Sequence, residues 1–107
     1  MVSFDPTVGA EIKKTRPALI IQNDVANRWS PVTIVAAISS RPDAPVYPAD
    51  VPVDPPEGSL SAPSVVLLNQ IRTIDRRRLV RRLGRLRAET MKLVDRALQI
   101  SLGLAGL

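Results

Sequence analysis

Arg16 is the side chain in this sequence best set up for chemistry, because it is followed by a proline and an apolar run. Pro17 fixes its own backbone angle and biases Arg16 towards an extended conformation. Ala18-Leu19-Ile20-Ile21 then reads as a short apolar strand buried on both faces. A guanidinium at the mouth of such a strand is carried by a rigid scaffold yet stays accessible, which suits binding or stabilising a phosphate. Ahead of it Glu11, Lys13 and Lys14 make a charged approach that should lie in water as a loop. The stretch by itself defines an anion site and no more, since an Arg-Pro pair at a strand end usually serves only to solvate it.

Composition removes several alternatives. With no cysteine and no histidine in 107 residues, disulfides, thiolate or imidazole metal sites and histidine-based acid/base chemistry fall away together. The absence of cysteine fits a reducing compartment. Nothing resembles a secretory signal or a membrane-spanning apolar run, so a cytoplasmic location is expected. A net charge of +5 and a pI near 10.7 favour a polyanionic partner, either nucleic acid or an acidic protein. Phe4, Trp29 and Tyr47 are the whole aromatic complement, too few for a broad base-stacking platform. The length is that of one domain (1–107) with a modest core, marginal as a lone monomer.

The elements that must position Arg16 can be read from the apolar pattern. A strand over Ala18–Gln22 is followed by a turn at Asn23-Asp24. Val25–Trp29 reads as one helical turn or an irregular connection. Val32–Ile38 is a second buried strand, ending in the polar pair Ser39-Ser40. Residues 41–64 hold seven of the ten prolines. Within them Val46–Val53 is expected along a sheet edge, where proline is tolerated. Ser64–Leu68 is a third strand, carried onward by the alternating Asn69–Asp75. Arg76–Arg87 contains seven arginines among leucines and valine. Leu79–Leu86 reads as a further short strand, and its arginines as a solvated face or a holder of phosphates or an acidic peptide. The closing helix spans about Ala88–Leu102, with Met91, Val94, Ala97, Leu98 and Ser101 on one face and Gly103 as its stop. Several short strands with one closing helix indicate a mainly β fold, a small, partly open β-barrel.

The segment E-I-K-K-T-R-P-A-L-I-I-Q-N-D at Glu11–Asp24 resembles the signature of the MazF/PemK (Kid) family of bacterial toxin endoribonucleases. Phe4–Gly9 (F-D-P-T-V-G), Asn27–Pro31 (N-R-W-S-P), Asn69–Asp75 (N-Q-I-R-T-I-D) and Ala97–Leu104 (A-L-Q-I-S-L-G-L) match in the same order, so the resemblance covers essentially the whole chain. It implies an SH3-like (CcdB/MazF-type) barrel that forms a homodimer. It also implies metal-independent, cofactor-free cleavage of single-stranded RNA, and an acidic MazE-like antitoxin as partner. The family's catalytic arginine falls on Arg16, its threonine position on Ser39, and its loop glutamate on Glu11. Lys13 and Lys14 are expected to meet RNA, and Asn23, Asn69 and Gln70 to meet bases. Amide side chains offer both donors and acceptors to an unstacked base. Arg72 and Asp75 are expected to form an internal ion pair that organises the strand.

Three departures qualify the match. Many relatives carry an acidic residue at Asn69, which points to a different preferred sequence. Arg87 stands where the family has a serine cap, predicting a weaker helix start. Relatives carry a longer apolar strand ahead of F-D-P, of which Met1-Val2-Ser3 leaves little. Two other readings remain open at this level: a non-catalytic toxin of the same fold that poisons DNA gyrase, and an inactive antitoxin-binding relative.

Overall fold

The computed structural model describes residues 1–3, 15–40 and 46–106. Four strands form one antiparallel sheet in the order β3 (Ala18–Ile20), β4 (Val32–Ser40), β6 (Ser64–Asp75), β5 (Asp50–Val53). A second, two-stranded sheet pairs β1 (Val2–Ser3) with β2 (Thr15–Arg16). Helix α1 (Asp24–Trp29) joins β3 to β4, and α2 (Ala88–Ser101) closes the chain. Together these make a curled antiparallel half-barrel with one C-terminal helix, the mainly β architecture expected.

Alternation along the central strand β4 divides the interior in two. Ala36 and Ile38 face a core built with Val53, Val66, Leu68 and the helix residues Val94 and Ala97. Val35, on the opposite face, packs with Val2 and Ile74. A sheet whose two faces are both apolar has to be covered twice. Here α2 covers one side and the short β1, with Leu79, covers the other. Leu68 is fully buried, and truncating it to alanine should cost about 2–5 kcal/mol.

The long strand β6 bends where its pairing slips. Ala36 pairs with Ile71 but Ala37 pairs with Leu67, so β4 advances one residue while β6 advances four. Leu68, Asn69 and Gln70 are the surplus; Leu68 turns into the core while Asn69 and Gln70 are exposed. Bulges of this kind curve a sheet and re-aim its side chains.

Several expectations need correction. The strand after Pro17 ends at Ile20, because Ile21 N and Gln22 N both donate to the single carbonyl of Ile34 and the ladder stops. It is an edge strand and is not buried on both faces; Ile20 is 42% exposed. Ser39 and Ser40 continue β4, since they still pair with Val65 and Ser64. Val25–Trp29 is helical from Asp24. The edge strand begins only at Asp50. Leu79–Leu86 is not a strand: its pairing is one bridge, Val2 to Leu79, extended by Val80 N donating to Met1 O and Met1 N to Arg81 O.

Beyond that bridge the arginine-rich segment is held by packing. Gly84 lies against the turn at Gly58, where any Cβ would sit 3.1 Å from Gly58 C and 3.2 Å from Gly58 O. Leu86 is buried, and Glu57 takes over at the start of α2. Arg87 is the N-cap and offers no side-chain bond. The Glu57 carboxylate accepts from Arg87 N at 2.9 Å and from Arg87 Nη2 at 3.1 Å. Thus the missing cap is supplied from thirty residues upstream. The apolar face of α2 is as expected, with Val94 and Ala97 buried and Met91 and Leu98 half-buried. Gly103 follows the helix at φ +74°, the left-handed turn that ends it.

Candidate active site

Arg16 closes β2 as an exposed side chain, paired across the backbone with Val2. Ser39 is half-buried in β4 and pairs with Val65. Ala18 pairs with Ala37 in the β3–β4 ladder. Arg16 precedes Ala18 by two residues on β2 of the other sheet, and Ser39 follows Ala37 by two residues on β4, so both lie on the same side of that pair. Two-residue spacing keeps Ser39 on the same face of β4 as Ala37. Pro17, between β2 and β3, is where the chain leaves one sheet and joins the other. A guanidinium and a hydroxyl are each able to bind the non-bridging oxygens of a phosphodiester. Glu11, Lys13 and Lys14 lie outside the described residues.

Asn69 and Gln70 project from the β6 bulge, level with the Ala36–Ala37 step of β4 and so near the middle of the sheet. Their exposed amides escape strand alternation there, which is what a base-reading position requires. Asn23 is more constrained than its place in a polar turn suggests. It is the N-cap of α1, and its Oδ1 accepts from Ala26 N at 2.8 Å. That oxygen is committed to the helix, so Asn23 meets an outside partner chiefly as an amide donor.

The expected Arg72–Asp75 pair is replaced by another. Asp75 accepts from Arg77 Nε at 3.1 Å and Arg77 Nη2 at 3.0 Å, and also from Arg77 N at 2.8 Å. Residues three apart on a strand point to opposite faces, whereas Arg77 follows Asp75 into the short 3-10 turn Arg76–Arg78 and curls back over it. The Arg77 side-chain bonds, then its backbone donor, hold the Asp75 carboxyl down at about 2. Glu57 is likewise held below its ordinary value, first by a Thr90 hydroxyl bond and then by the Arg87 backbone.

A polar cluster under α1 has no counterpart in the sequence-based expectations. Asn27 Oδ1 accepts from Gln22 Nε2 at 3.0 Å and from Thr33 Oγ1 at 2.6 Å, while Asn27 Nδ2 donates to Gln22 O at 2.9 Å. Gln22 Nε2 also reaches Val32 O at 3.1 Å. Thr33 is only 2% exposed, so this network pins α1 to the start of β4. Three separated polar residues give no periodic signal that could have revealed it.

A groove of about 840 Å³ runs between the outer edge of β3 and the arginine-rich segment. Leu19, Ile20, Leu79 and Met91 contribute apolar lining, and Arg81 and Arg82 line it with charge. Among the described residues no group of three Asp or Glu gathers in a way that would hold a metal ion. No helix among them is long and apolar enough to cross a membrane.

The family described as "PemK-like, MazF-like toxin of type II toxin-antitoxin system" matches residues 1–102. The chain belongs to this toxin family. Its sequence is 48% identical to Endoribonuclease EndoA of Bacillus subtilis over 101 residues, covering 94% of this chain and 87% of that protein. Among solved structures it is similar to the Mycobacterium tuberculosis toxin MazF-mt6. There the TM-score is 0.76 and the identity 30%, over 85% of this chain and 89% of that one. It is also similar to MazF in a MazE-MazF structure from Deinococcus radiodurans, at TM-score 0.77 and 28% identity, over 97% and 90% of the two chains. These MazF/PemK likenesses extend over the β-sheet and the closing helix, so the half-barrel is the family's fold.

Proposed function

We propose that this chain is the endoribonuclease toxin of a toxin–antitoxin pair, acting in the cytoplasm on single-stranded RNA without a metal. The 48% identity to an endoribonuclease over almost the whole chain is the observation that carries the reading. The exposed guanidinium of Arg16, just before the switch between sheets, and the Ser39 hydroxyl late in β4 are the groups that support the chemistry. In that chemistry the RNA supplies its own nucleophile. The 2′-oxygen attacks phosphorus and gives up its proton, the bond from phosphorus to the 5′-oxygen breaks, and that oxygen takes a proton as it leaves. The products are a 2′,3′-cyclic phosphate and a 5′-hydroxyl.

Arg16 stabilises the charge on the pentavalent phosphorus through its planar fork. Ser39 donates its hydroxyl to a non-bridging oxygen, and Glu11 accepts the 2′-proton. Lys13 and Lys14 attract the RNA backbone. Asn69, Gln70 and the amide donor of Asn23 read bases beside the scissile bond, which makes cleavage sequence-selective. The functional unit is a homodimer. An acidic MazE-like antitoxin occupies the groove beside Arg81 and Arg82 and excludes RNA, in keeping with the net charge.

The test is cleavage of single-stranded RNA in the presence of chelator. Arg16→Ala should slow cutting by about 10²–10³-fold, the usual effect of removing one donor to a developing oxyanion. Arg16→Lys should recover little, because an ammonium cannot form the bidentate fork. Ser39→Ala should cost about ten- to a hundredfold, as expected for a hydrogen bond to a charged group. Cutting by Arg16→Ala at the parent rate would overturn the assignment.

A further inference from the structure

The surface where α1 meets the end of β6 carries an aromatic group that the proposed chemistry does not use. Trp29 is 77% exposed, and the Arg28 guanidinium lies 5.4 Å from its ring centroid. Arg76 adjoins them: its backbone N donates to Pro31 O at 3.0 Å, and its Nη1 reaches Ser30 O at 3.5 Å. The carboxylates of this corner are Asp24, at the start of α1, and Asp75, which is engaged by Arg77. The balance is therefore cationic around an open indole face.

We infer that Arg28, Trp29 and Arg76 form a second RNA contact, in which a nucleobase stacks on the indole and the arginines hold its flanking phosphates. The inference rests on the reading of the chain as an RNA-cleaving toxin and extends its substrate path. A single-stranded base presents a π-face to whatever aromatic ring is offered, and arginine adds cation–π attraction without demanding a sequence. Val25 continues the exposed apolar face by one turn, and the open ring between arginines offers one base a stacking surface and its phosphates a charge partner. The corner is distant from the base-reading bulge. Gln70 and Arg76 are six residues apart on and just beyond β6, about 20 Å at the rise of a strand. Exposed Arg72 and Thr73 lie between them. The contact thus engages nucleotides beyond those read at Asn69 and Gln70, holding longer RNAs better than short ones.

Trp29 is the sole tryptophan, so its fluorescence reports directly on this corner. Two single-stranded oligonucleotides are compared: a short one centred on the scissile bond, and one extended to both sides. Trp29→Ala should raise KM for the extended RNA about tenfold more than for the short one, from stacking contributions of about 1–3 kcal/mol per base. Trp29→Phe should restore part of the difference, and Arg28→Ala with Arg76→Ala should weaken it and flatten its salt dependence. In the Arg16→Ala chain, only the extended RNA should quench the tryptophan. Equal KM changes for the two RNAs would overturn the second contact while leaving the nuclease reading intact. A loss of homodimer or antitoxin affinity with RNA binding unchanged would make the corner a protein contact and overturn it equally. Should the chain cut no RNA, fluorescence still decides: unchanged emission with the extended oligonucleotide refutes the contact.

Discussion

Replacing Asn27 by alanine tests whether the cluster beneath α1 holds the helix in place. The substitution removes the acceptor of the Thr33 hydroxyl and the donor to Gln22 O, while Gln22 Nε2 keeps Val32 O. Thr33 is almost fully buried, so its hydroxyl is left without the 2.6 Å bond that satisfied it. An orphaned buried hydroxyl costs about 1–3 kcal/mol and a further lost bond about 1 kcal/mol, so the variant should lose about 2–4 kcal/mol. Thr33→Val alone should cost about 1 kcal/mol, because Asn27 retains Gln22. Combined with Asn27→Ala, the same change removes the orphan, so it should then be neutral or stabilising. The resulting coupling is about 1–2 kcal/mol. Urea unfolding followed by far-UV circular dichroism gives all four stabilities. If the two substitutions prove additive, the Thr33 hydroxyl does not depend on Asn27 and the cluster does not hold α1 in place.

Single contacts carry further consequences. Gly84→Ala drives a Cβ against the backbone of Gly58 and should destabilise the fold by about 1–3 kcal/mol, whereas the same change at Gly106, which has open space, should be silent in thermal melts. Gly103→Ala must hold a left-handed conformation and should cost about 1–2 kcal/mol, read as fraying of the last turn of α2 by hydrogen exchange. The Glu57 and Asp75 carboxyls are depressed in the folded chain, so their contribution is present above the ordinary carboxylate range and disappears as pH falls through their folded values, about 2 for Asp75. Glu57→Gln should therefore flatten the acid side of the stability profile. An unchanged slope between mild acid and that limit would show that the carboxylate does not cap α2.

The arginine-rich segment shows how the pieces cooperate. A chain with seven arginines in twelve residues has no reason to stay close to the protein surface unless it is tied there. Leu79 bridges to Val2, Gly84 packs on the Gly58 turn, Leu86 is buried, and Arg87 meets Glu57. Between these ties Arg81, Arg82 and Arg85 remain exposed and line the groove beside β3. The apolar ties set the path of the backbone, and the charges are displayed as a result.

Much of the architecture was written in local pattern. The apolar runs after Pro17, Ser30-Pro31 and Ala62-Pro63 mark β3, β4 and β6, and the spacing of Met91, Val94, Ala97 and Leu98 marks α2, because burial on a given face demands those periods. The quoted motifs sufficed to name the family and to single out Arg16, Ser39, Asn69 and Gln70. Tertiary structure alone decided how these residues stand. The three-residue slip in β6 depends on which β4 residue meets which β6 residue, and no local period encodes it. The same holds for Asp75 choosing Arg77 over Arg72, for Asn23 giving its oxygen to α1, and for Glu57 capping a helix thirty residues away. In each case a polar group takes whichever partner the folded backbone brings within about 3 Å. The order of residues determines which groups are available, and only packing determines which of them meet.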